Sequence, residues 1–86
     1  MLSKQLLRSG TSIGANVEEA LAAESKADFI HKLSIAAKES RETGYWLRVL
    51  HTNDYLPTQA FESIYQHNQE LSKILTSIIL TTKANS

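Results

Sequence analysis

Eighty-six residues allow one domain with a modest core, residues 1–86, and chains this short often borrow surface from partners. Nine basic and nine acidic side chains cancel, which counts against a dedicated nucleic-acid binder with its usual basic excess. The absence of cysteine excludes disulfide staples and thiol chemistry and suits a cytoplasmic protein, and no apolar run is long enough for a membrane span or a signal peptide.

The first segment runs from Leu2 to about Ala23. Leu2, Leu6, Gly10, Ile13, Val17 and Leu21 recur at spacings of three and four, which is helical periodicity. Within it, "RSGTSIGAN" (residues 8–16) has the composition of a loop. As a phosphate-binding loop it fails, because Gly14 is followed by Ala15-Asn16 rather than Lys-Ser/Thr and no strand precedes it. As a helix, Gly10-x-x-x-Gly14 forms a smooth face. Each glycine costs about 1 kcal/mol of helix propensity against alanine, and close approach of a neighbouring backbone is the expected compensation. Arg8, Ser12, Asn16 and Glu19 stand beside this seam as an expected polar network, although such residues are mostly solvated.

A second helix starts at Ser25, an N-cap with Asp28 three positions on. Phe29, Leu33, Ala36, Ser40, Leu47 and His51 follow one face, flanked by Thr43 and Gly44, and Asn53 is the expected stop ahead of Pro57. Ile35, Trp46 and Leu50 lie well off that face as a second apolar stripe. A helix apolar on two sides is usually buried on two sides, so another helix or another subunit is expected there. The third helix opens at Thr58 as its N-cap and carries Phe61, Ile64, Tyr65, Asn68, Leu71, Leu75, Ile78 and Ile79. Short connections between long helices imply antiparallel neighbours. The expected fold is all-α: an antiparallel up-down bundle with three long helices, each about 30–40 Å long.

Little here announces chemistry. Asp28-x-x-His31 has the spacing of half a di-iron site, but no second Glu/Asp-x-x-His pair exists, and His31 lies off the apolar face. His31 is expected to be exposed, and neither metal nor cofactor is expected. No nucleophile stands in a recognisable motif with a base. Lys38, Arg41, Tyr45 and Arg48 share one side of the middle helix with His31, interrupted by Glu42, and define the stripe available to structured RNA or DNA. Repetition of that stripe in an oligomer would multiply its effect.

Two stretches, "QLLRSGTSIGANVEEA" and "SKADFIHKLSIAAKESRETGYWLRVL", resemble the 23S ribosomal RNA intervening-sequence protein family. Gln5, Leu6, Arg8, Ser9, Ser12, Ile13, Ala15, Asn16 and Glu19 match its first motif. Phe29, Ile30, Leu33, Ile35, Ala36, Ser40, Glu42 and Leu47 match the second. The resemblance covers residues 2 to 56 closely and the last helix more loosely. It implies a four-helix bundle that is not an enzyme and that assembles into a homo-oligomer, a ring of five in members of known fold. Ile35, Trp46 and Leu50 are then the expected subunit interface. Family members usually carry another helix ahead of the first motif; this chain begins at Met1 directly before it and is read as lacking that helix. Related bundle proteins include a nucleic-acid-binding accessory factor, more basic than this chain.

Overall fold

The computed structural model describes residues 2–85, with side chains from Lys4 onward, so the stripe position at the Leu2 side chain and the chain ends Met1 and Ser86 lie outside the described residues. It contains three helices, α1 (Leu2–Leu21), α2 (Lys26–Thr52) and α3 (Thr58–Ala84), in an antiparallel up-down order.

The helix ends follow local chemistry. The Ser25 side chain accepts a hydrogen bond from the Asp28 backbone N–H at 3.0 Å, and a cap of this kind contributes about 1 kcal/mol. Asn53 caps the end of α2, and its side chain donates to the Val49 carbonyl at 2.8 Å. The left-handed residue that turns the chain is Asp54, at φ 62°, one of the few non-glycine types that tolerate this region. The third helix departs from expectation at its start. Pro57, at φ −59° and ψ 147°, holds the cap position without a side-chain hydrogen bond, and Thr58 is the first helical residue. The Thr58 hydroxyl instead lies 3.2 Å from the His51 ring nitrogen.

Both outer helices pack on α2, and among the described residues no Cα atom of α1 lies within 8 Å of one in α3. The result is an open layer of 45 × 22 × 13 Å rather than a closed three-helix bundle. The central position of α2 explains its second buried side. Glu39 and Thr43 face α1, while Ala37, Ser40 and Gly44 face α3. The small Ala37, Ser40 and Gly44 let α3 approach closely. The core joins Ile13 and Ala20 of α1, Leu33, Ala36 and Ala37 of α2, and Leu75 and Ile79 of α3. Two polar clamps cross it. The Thr43 hydroxyl donates to the Ser9 hydroxyl oxygen at 2.9 Å. Asn68 donates from its amide to the Ser40 carbonyl at 2.8 Å and accepts from the Ser40 hydroxyl at 3.2 Å. Among the described residues no buried side-chain polar atom is left without a partner, as a folded interior requires.

Candidate functional site

The main charged cluster joins α1 to α2. Arg8 donates to the Glu39 carboxylate at 2.9 Å and also pairs with Glu42. Glu42 in turn accepts from the Trp46 indole at 3.4 Å. Glu39 is buried, whereas the Arg8 side chain is half exposed. Burial pushes the Glu39 carboxyl upward, but the hydrogen bond from Arg8, together with its charge, outweighs it and helps hold the group below the ordinary glutamate range. Arg8 is raised, first by its hydrogen bond to Glu39. A carboxyl lowered by folding stabilises the fold above its unfolded pKa and loses that contribution as pH falls through the folded value. Urea unfolding followed from neutral to acid pH should therefore show stability falling below the ordinary glutamate pKa. In Glu39→Gln the slope should flatten; an unchanged slope would assign the acid sensitivity to other carboxyls.

The expected network at the first motif is thus rearranged. Arg8 reaches across to α2, but Asn16 donates to the Ser12 carbonyl at 2.9 Å and to its hydroxyl at 3.3 Å, both within α1. Glu19 is exposed. The expected close approach at Gly10 and Gly14 is not where the helices meet. Both are exposed, and a side chain built on either meets nothing within 4 Å. The reason is angular: Ser9, Ile13 and Ala20 turn toward α2, which leaves the two glycines on the adjacent, open side of α1. The glycine in tight contact is Gly44, where an added Cβ would lie 3.2 Å from the Asn68 amide nitrogen and 3.7 Å from the Tyr65 ring.

On the outer side of α2, Lys38, Arg41 and Tyr45 are exposed, and Tyr45 stands edge-on to Trp46 at 4.9 Å. Arg48 is engaged with α3, donating to the Tyr65 hydroxyl at 2.9 Å with its guanidinium 5.9 Å from that ring. A groove of about 490 Å³ between α2 and α3 brings Arg41 together with Lys73, Gln69, Ser72, Thr76 and Ser77 and is lined by no carboxylate. Lys73 escapes sequence reasoning because its nearness to Arg41 depends on the α2–α3 register. Ile35, Trp46 and Leu50 are each half-buried. The larger exposed apolar groups are elsewhere: Leu7 and Leu21 of α1, 71% and 73% exposed, and Ile64, Ile74 and Ile78 of α3.

His31 and His67 are exposed, and His51 stacks on Phe61 at 4.2 Å. Among the described residues no three His, Cys, Asp or Glu side chains gather where a metal ion would be held. Among the same residues no helix is long and apolar enough to cross a membrane.

Fold and site together define an all-helical bundle protein. The 23S rRNA-intervening sequence protein model matches residues 1–77, and the chain belongs to that family. Among solved structures, a protein of unknown function from the S23 ribosomal protein family of Bacteroides thetaiotaomicron VPI-5482 is 54% identical with a TM-score of 0.90, covering 92% of this chain and 70% of that one. No curated protein matches the chain.

Proposed function

We propose that this chain is a non-enzymatic, cytoplasmic structural or interaction protein that works as a homo-oligomer. One observation carries the reading: no backbone of α1 comes near that of α3, and the groove left between them is lined by Leu6, Leu7, Leu47, Leu56 and Ile64, with Leu7 and Ile64 in solvent. An exposed apolar groove of that kind marks an interaction surface. A formal net charge of zero adds no long-range repulsion between copies.

Native mass spectrometry of the purified chain at low salt, without nuclease treatment, tests this. A discrete protein-only oligomer supports it, and five copies would match the ring expected from the family resemblance. A bare monomer at tens of micromolar overturns it. Extra mass removable by nuclease would favour the second reading, an oligomeric accessory protein that binds structured RNA or DNA. The observation behind that reading is the carboxylate-free groove holding Arg41 and Lys73, with Lys38 and Tyr45 exposed on the same helix as Arg41. Contacts of this type weaken steeply with salt.

A further inference from the structure

The cations around α2 fall into two kinds. Arg8 is held by Glu39 and Glu42, and Arg48 donates to the Tyr65 hydroxyl. Lys38, Arg41 and Lys73 are exposed, and none of them meets a carboxylate or another acceptor among the described residues. We propose that the α2–α3 groove binds an unpaired stretch of RNA or DNA, with phosphates on Arg41 and Lys73 and a base on the ring of Tyr45, one turn along α2 from Arg41. This rests on the nucleic-acid reading above and adds the form of the strand and the residues that hold it.

The lining of the groove suits a phosphodiester chain. Thr76 and Ser77 stand with Arg41 and Lys73 as uncharged donors, and their hydroxyls have no partner among the described residues. The acids nearest to Arg41 in sequence, Glu39 and Glu42, are both paired with Arg8, so their charge is compensated beside the groove. Tyr45 is a separate observation. Its ring is 50% exposed and stands edge-on to Trp46, at 70° between the ring planes. Trp46 is in turn tied to Glu42 through its indole N–H. The tyrosine is thereby braced at its edge while its side chain stays half open to solvent, the arrangement of a stacking platform.

Charge decides between an unpaired strand and a duplex. Duplex-binding proteins make about 6–10 phosphate contacts and are markedly positive. This chain has a formal net charge of zero, and the outer side of α2 with its groove offers only Lys38, Arg41 and Lys73 free. Stacking on Tyr45 also needs a base whose face is open, and drawing one out of a duplex costs unstacking and unpairing energy. A short unpaired segment asks for few phosphates and presents its bases already.

Fluorescence anisotropy tests this with a short oligothymidylate, which has no secondary structure, and a blunt duplex. The single strand should bind at low salt about tenfold more tightly than the duplex. Its log affinity should fall with log salt at a slope of about −2, from three contacts at about −0.7 each. Arg41→Gln combined with Lys73→Gln should bring that slope to about −0.7, whereas Lys4→Gln on α1 should leave it unchanged. Tyr45→Ala should weaken binding about tenfold at every salt concentration with the slope kept, and Tyr45→Phe should restore it. All of these side chains are exposed, so the variants should melt with the parent. A duplex bound as tightly as the single strand, an unchanged slope in the double variant, or full affinity in Tyr45→Ala overturns this site while nucleic-acid binding stands. No binding of either probe at low salt overturns both.

Discussion

Leu33→Ala is expected to remove about 2–5 kcal/mol of folding stability, the range for emptying a buried leucine site. Leu33 is 3% exposed and sits on α2 within the cluster that includes Ala20 of α1 and Leu75 and Ile79 of α3. It belongs to the core that ties all three helices together. Collapse of the site is resisted from two sides, because both neighbours are already held to α2 by polar clamps, Ser9 with Thr43 and Asn68 with Ser40. A small domain has about 5–15 kcal/mol in total, so a loss of this size shifts the urea midpoint by a large fraction of its value. The matched control is Leu80→Ala. Leu80 is 61% exposed, and truncation there should stay within about 0.5 kcal/mol. Equal effects at the two positions would mean that the core does not bind the outer helices to α2 as described.

The burial of Leu33 is legible in the sequence, because the spacing of three and four that predicts helices also places it on the main face of the middle one; the stripe predicted for α3 is less accurate, since its Ile64 and Ile78 are exposed. The start of α2 at Ser25 is legible too, a purely local signal: a hydroxyl ahead of a free backbone N–H. The second apolar stripe of the middle helix, Ile35, Trp46 and Leu50, calls for another helix or subunit, and within this chain its residues stay half-buried. What periodicity does not supply is the rotation of one helix against another. Gly10 and Gly14 lie on the apolar stripe of α1, yet a modest turn of that helix places Ser9 and Ile13 against α2 and sends both glycines to the open side. Arg8 and Glu39 are 31 positions apart and Arg41 and Lys73 are 32 apart, so neither pairing follows until the registers of α1 and α3 on α2 are known. Thr58 suggests a cap by its type alone. Pro57, with its fixed φ and no N–H to satisfy, takes that position first.

Gly44→Leu should act in the opposite direction to Gly14→Leu on folding stability, although both replace a helical glycine. Helix propensity favours leucine at either position by somewhat less than about 1 kcal/mol. At Gly14 nothing opposes that gain within one copy, so the melting temperature of the monomer should rise. At Gly44 even the Cβ would lie 3.2 Å from the Asn68 amide, and the rest of a leucine side chain would have to displace it. Overpacking of this kind costs about 1–3 kcal/mol. Moving Asn68 also breaks its two hydrogen bonds to Ser40, which is fully buried, and leaves polar atoms unsatisfied at about 1–3 kcal/mol more. The penalties exceed the propensity gain, so Gly44→Leu should melt well below the parent while Gly14→Leu melts at or above it. Thermal melts of the two variants, read by circular dichroism at a concentration where each is monomeric, decide the matter. A stabilised Gly44→Leu would mean that α3 stands farther from α2 than the Asn68–Ser40 clamp implies, and the close packing that fixes the width of the layer would have to be sought between α1 and α2 alone.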